Sequence, residues 1–193
     1  MRSLIYALSI LVSFTACKDT TPSDKQEASE ESTTIDYKEK GRSITDAAFS
    51  RLSQNLMKAM QEGGVPYAVD YCHVEAYPIT DSVSSDFEVS IRRTSAKYRN
   101  PENQPTSFEA ALINHYEAQS GSKQMQDSLI VLDDGSHVYA RPILLQEPCL
   151  NCHGTVGQEV KEEHYALIKE KYPEDKAVGY SAGDFRGLWM VRF

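Results

Sequence analysis

The sequence predicts an α+β domain, and three stretches carry that prediction. Ile44, Ala48, Leu52, Leu56 and Met60 recur at i, i+4 spacing, the period of a helix with one buried face. Phe87, Val89 and Ile91 alternate with polar neighbours, the period of a half-buried strand. Two strand-like runs flank Asp134-Gly135 in "DSLIVLDDGSHVYARPIL", and an Asp-Gly pair readily adopts the positive φ values of a tight hairpin. Helices set beside mostly antiparallel strands, rather than alternating with them, define the α+β class.

Taken in order, the chain opens with "MRSLIYALSILVSFTAC". Arg2, an apolar run from Leu4 to Phe14, and small residues Thr15 and Ala16 form a signal-peptide layout over residues 1–16, too short to span a bilayer. A cysteine directly after small residues resembles a bacterial lipoprotein cleavage site, which would leave a lipidated Cys17. Phe14 stands where that pattern prefers Leu, so an ordinary secretory signal is the alternative. Either reading predicts an exported protein of the periplasm or cell envelope, held to a membrane in the first case by its lipid. Residues 17–42 are polar and acidic with almost no large apolar side chain, and predict a disordered tether.

The folded domain is expected over 43–193. Its first helix runs from Ser43 to a stop at Gly63-Gly64. A second opens with Pro66 in its first turn, carries Val65, Val69 and Cys72 near one face, and ends at Pro78. The strand in "SSDFEVSIRRTS" leads to the loop "RNPENQP". A helix capped by the Thr106…Glu109 pair then runs to Gly121. After the hairpin, "GQEVKEEHYALIKEKYP" is helical up to Pro173, and "GLWMVRF" forms a last strand.

A net charge of −8 and the absence of a basic run argue against nucleic acid as a partner. Neither paired carboxylates at suggestive spacing nor a Ser/His/Asp arrangement stands out, so no enzyme is expected. Peroxidase-like activity would need an open iron face and a distal acid-base residue.

The chemistry is concentrated in "EPCLNCHG". Cys149 and Cys152 have the spacing that fixes haem c through thioether bonds, and His153 follows at once, able to reach the iron from one face. A zinc site would lack a second ligand pair nearby. A thioredoxin-like dithiol should open a helix after a buried strand, whereas Pro148 follows a hairpin here. A plain Cys149–Cys152 disulfide is a further alternative. Small electron-carrier cytochromes place this motif near the N-terminus and take a methionine from far downstream, but only Met190 follows His153. Four-helix cytochromes lack strands such as "DDGSHVYARPI" and "GLWMVRF".

With "AVDYCHVEA" and "RNPENQP" upstream, "YARPILLQEPCLNCHG" and "YPEDKAVGYSAGDFRGLWMVRF" resemble a family of bacterial haem-c-binding domains with a PAS-like fold. The resemblance spans residues 43–193 and implies a central antiparallel sheet with flanking helices around one covalent haem. It also implies a distal iron ligand. Cys72 is left over once Cys17, Cys149 and Cys152 have been assigned, and the family's cysteine in the matching helix ligates iron opposite the motif histidine. The bland reading of Cys72 is a small buried residue; His73, Met57, Met60, His115, His137 and an open position are the rival ligands. Haem propionates pair well with arginine, and Arg92, Arg93, Arg99 and Arg141 are the candidates, of which one or two would line the pocket.

The leading expectation is thus an exported single-haem cytochrome c for electron transfer or redox sensing, working with a redox partner protein. A haem-based sensor of a small diatomic gas, and a haem-free metal-binding or structural lipoprotein, are the alternatives.

Overall fold

The fold begins at Asp36, whose carboxylate accepts the backbone N–H groups of Lys38 and Glu39 at 3.0 Å and so caps helix α1, Tyr37–Phe87. The structure, a computed structural model, describes residues 35–119 and 125–193. The expected signal segment 1–16 and Cys17 lie outside the described residues, as does the tether up to Thr34. The last part of that tether is helix instead, because tertiary contacts hold it. Gly41 lies flat on Tyr139, where a Cβ would stand 2.3 Å from the ring. Lys38 and Arg42 both pair with Asp127.

Helix α1 is two arms joined at Gly63 and Gly64, where Gly64 takes φ 67°. Pro66 opens the second arm as expected, but Pro78 does not close it. The arm continues to Phe87, so Phe87 is helical and strand β1 is confined to Ser90–Thr94. Pro78 deprives the Val74 carbonyl of a donor, yet Val74 is exposed and water can supply one. Downstream, Thr80 donates to the Ala76 carbonyl at 2.8 Å, and fully buried Val83 rewards the extension.

Helix α2, Ser107–Glu117, carries the reciprocal capping box of Thr106 and Glu109. Strands β2, Ser128–Val131, and β3, His137–Leu144, form the hairpin around Gly135 at φ 80°. Helix α3 is the short Leu150–His153, and α4, Glu162–Lys171, starts later than expected, since 155–160 form a turn closed by Gly157 N–H on the Val160 carbonyl. Strand β4, Phe185–Arg192, ends the fold.

The sheet has the order β1-β4-β3-β2 and is antiparallel throughout. Successive side chains of a strand face opposite sides. Tyr139, Trp189 and Val191 therefore pack under Ile44, Ala48 and Val83 of the two α1 arms. Val138, Ala140, Leu188 and Met190 pack under Ile113 and Tyr116 of α2. β4, covered on both faces, reads as a nearly unbroken apolar run. The protein has an α+β fold. A separate apolar group joins α4 to the start of the second arm: Val65 and Val69 against Ile168 and Tyr172, with Cys152 packed on them.

Candidate functional site

Pro148 starts a short 3-10 turn, Glu147–Cys149, that runs directly into α3. The turn places Cys149 and Cys152 on one small loop, anchored by buried Leu150 and closed by the Gly154 N–H on the Leu150 carbonyl. Cys72, Cys149 and Cys152 are all free thiols.

His153 Nδ1 lies 2.7 Å from the Ala177 carbonyl oxygen. A carbonyl can only accept, so Nδ1 carries the hydrogen and Nε2 keeps the lone pair. Burial, then Arg99 and Arg186, hold the imidazole well below its ordinary pKa, so the ring is neutral at pH 7. This is an imidazole prepared to ligate a metal, with the second hydrogen bond that fixes such a ligand's orientation.

The loop around it is clasped on both sides. Tyr180 N–H donates to the His153 carbonyl at 3.0 Å, and Gly179 N–H to the Gly154 carbonyl at 2.8 Å. Arg99 Nη2 donates to the Cys152 carbonyl at 2.6 Å while its Nε donates to Asp175 Oδ1 at 2.9 Å. The Asp175 side chain is fully buried, and its Oδ2 has no hydrogen-bond partner among the described residues.

Cys72, from the second arm of α1, comes to the same place. Burial raises its thiol pKa, the neighbouring Cys152 raises it further, and Arg93 and Arg99 oppose both. Tyr172, pushed up to about 12 chiefly by burial, also senses Cys72, Arg99 and Arg93. The rival ligands point to other work. His73 meets the edge of Tyr172 with ring centroids 5.1 Å apart, His115 bonds Gln119, and His137 stacks on Tyr37 at 4.2 Å. Met57 is exposed, and Met60 packs with the apolar group beside Cys152.

The arginines divide cleanly. Arg93 has a guanidinium over the Trp189 ring at 5.6 Å and, among the described residues, no hydrogen bond or ion pair. Burial lowers its pKa, with Tyr77, Cys72 and Tyr172 opposing. Arg92, its neighbour on β1, is taken up by both oxygens of Glu109 at 3.1 Å and by the carbonyls of Glu102 and Gln104. Arg141 bonds Thr45 and Asp46 on α1. The structure thus brings Arg93 and Arg99 to the site, and gives Arg92 and Arg141 partners elsewhere.

Arg186 joins them, a residue that sequence reasoning passed over. Its Nη1 donates to Ser95 Oγ at 2.6 Å, its guanidinium faces Tyr180, and burial lowers its pKa. The signal was in "GDFRG", where an arginine alternates with Phe185 and Gly187 on a strand otherwise apolar. Asp175 and Tyr180 were likewise unmarked.

The donor set suits a porphyrin better than a bare ion. Among the described residues no group of three or more His, Cys, Asp and Glu side chains could hold a metal by itself. The site offers instead two thiols on one turn, one free imidazole nitrogen, a third thiol and the half-buried cations Arg93 and Arg186, which lack an anionic partner among the described residues. These residues fit a haem with anionic side groups.

The family model for the Tll0287-like family matches residues 18–193. Among solved structures, the crystal structure of the cyanobacterial heme-protein Tll0287 aligns with a TM-score of 0.60 and 26% identity, covering 82% of this chain and 96% of that one. No curated protein matches.

Proposed function

The chain belongs to the Tll0287-like family, and from that premise we propose that it is an exported single-haem cytochrome c for electron transfer or redox sensing. Haem as the cofactor is supported by the solved relative, described as a heme-protein. The observation that carries the reading is His153: a neutral imidazole with Nδ1–H fixed on Ala177 and Nε2 free, one residue beyond a pair of free thiols.

In this reading Cys149 and Cys152 would hold the porphyrin through thioether bonds at its vinyl groups, and His153 Nε2 and the Cys72 sulfur would ligate its iron. The bound haem supplies one-electron redox chemistry at iron. Arg93 and Arg186 receive propionates, and Arg99 braces the motif backbone from behind through Asp175. Val65, Val69, Ile168 and Tyr172 keep water from the Cys152 side. A thiolate at Cys72 donates charge and favours the oxidised state. Residues 1–16 act as the export signal, and a lipid on Cys17 holds the domain at a membrane.

A second reading is a haem-based sensor: a neutral thiol is a weaker ligand than a thiolate, and loss of the Cys72 sulfur on reduction would open a position for a diatomic gas. A ferrous spectrum unchanged by carbon monoxide would count against that version.

The test of the main reading is a pyridine haemochrome spectrum of protein matured with haem-c machinery, beside Cys149→Ala/Cys152→Ala. A c-type spectrum that survives acid-acetone extraction, and is absent from the variant, is the expected result. No haem in the wild type would overturn it.

A further inference from the structure

Most cations of the described chain are neutralised by a carboxylate, as Lys38, Arg42, Arg51, Arg92, Arg141, Lys171 and Arg192 show. Around the His153 clasp the pattern reverses. Arg93, Lys97, Arg99, Lys176 and Arg186 gather there, and among the described residues only Arg99 makes an ion pair, with Asp175. Glu159, beside Gly154, and Asp184 accept the backbone N–H groups of Thr155 and Ser181. A chain of net charge −8 thus concentrates uncompensated positive charge at one place.

The buried part of that charge is matched by propionates if the site holds haem. The exposed part is left over. Lys97 and Lys176 stand on the two segments that close over the motif, joined by Lys176 N–H on the Tyr98 carbonyl at 3.0 Å. Each ammonium is held in place. Lys97 Nζ lies 4.1 Å above the Tyr180 ring and donates to the Val178 carbonyl at 2.6 Å. Lys176 Nζ lies 4.1 Å above the Tyr98 ring and donates to the Tyr98 hydroxyl at 2.7 Å. An exposed lysine fixed by a ring and a hydrogen bond has already given up rotamer freedom, so docking costs it less.

We propose that the rim formed by Lys97 and Lys176 is the docking surface for an acidic protein that exchanges electrons with this chain; the proposal rests on the haem reading above. Charge complementarity selects the occupant. An opposite potential at the transfer point speeds encounter and orients the partner. A membrane surface fits less well. Polybasic lipid-binding segments use clusters of about four to eight cations. None of the large exposed apolar side chains lies on these segments either.

The test exploits the opposition between local and total charge. The haem-loaded full chain is reduced with dithionite, freed of excess reductant and mixed with hexacyanoferrate(III). One electron leaves the protein, and the trianion becomes hexacyanoferrate(II). If the total charge of −8 governs, the rate rises with salt as repulsion is screened. If the rim governs, the rate falls, by about tenfold between roughly 10 and 200 mM ionic strength. Poly-L-glutamate at low salt slows it as well. Lys97→Gln/Lys176→Gln, with an unaltered haem spectrum and melting curve, abolishes both effects, whereas Lys58→Gln/Lys161→Gln keeps them. A rate that rises with salt overturns the proposal, as does a salt effect unchanged in the rim variant. Rim-dependent binding to phosphatidylglycerol vesicles without poly-L-glutamate competition overturns it in favour of a lipid surface. Wild-type protein without covalent haem would remove the haem reading and this one together; the wrong salt sign in a haem-loaded protein removes this one alone.

Discussion

Arg99 Nη2 donates to the carbonyl of Cys152 across 2.6 Å, although the two residues lie far apart in sequence. Through Nε the same guanidinium is tied to Asp175, and through Asp175 Oδ1 to the Ala177 N–H, whose own carbonyl orients His153. One side chain therefore sets both the motif backbone and, indirectly, its imidazole.

Arg99→Met is expected to leave Asp175 as an uncompensated buried charge and cost about 3 kcal/mol of stability in urea unfolding. Adding Asp175→Asn should recover part of that loss. If the double variant were no more stable than the single one, the ion pair would not be the cause.

Gly187 has φ 149°, and a Cβ there would stand 2.3 Å from the Thr94 carbonyl oxygen and 2.9 Å from Ser95 Cβ. Backbone cannot move aside as a flexible side chain can, so Gly187→Ala must part β1 from β4. A loss of about 3 kcal/mol or more is expected, with reduced yield of soluble protein. Gly135→Ala provides the comparison. It shares a positive φ but meets nothing within 4 Å, so its cost should be near 1 kcal/mol.

Cys72→Ser tests the proposed distal ligand. A hydroxyl does not replace a thiolate's charge donation, so the reduction potential should rise and the oxidised spectrum should change while covalent haem content stays constant. An unaltered potential would mean that Cys72 only packs beside Cys152.

Asp127 gives a pH dependence remote from the site. Burial alone would raise its pKa, but the Tyr139 hydroxyl, Arg42 and Lys38 outweigh that and hold it below the ordinary carboxylate value. The folded state thus binds this proton less readily than the unfolded chain. The resulting stability is present above the unfolded value of about 4 and is lost as pH falls through the folded one. Asp127→Asn should cost about 1–2 kcal/mol at pH 7 and flatten the acid limb of a stability–pH curve.

Local patterns were well read where local forces decide. The capping box at Thr106 and Glu109, the Asp134-Gly135 hairpin, the Gly63-Gly64 break and the last strand are settled by neighbours a few residues apart. Pro78 misled because its cost is local and its compensation is not: an exposed Val74 carbonyl upstream and a buried Val83 downstream. The helical start at Tyr37 was hidden for the same reason, since Gly41 on Tyr139 and Asp127 opposite Lys38 are distant in the chain.

By itself the sequence determined the α+β class, and in Cys149, Cys152 and His153 it presented the motif on which the proposed haem attachment rests, because such attachment with an adjacent ligand would require fixed spacing along one turn. Only the tertiary structure decided which cations meet there. Arg92 and Arg93 are neighbours on a strand, so the pleat sends them to opposite faces: Arg92 to Glu109, Arg93 to the Trp189 ring and the side of Cys72. Arg186 reaches His153 because β4 pairs with β1 and sets Arg186 against Ser95, a long-range pairing that composition and period do not reveal.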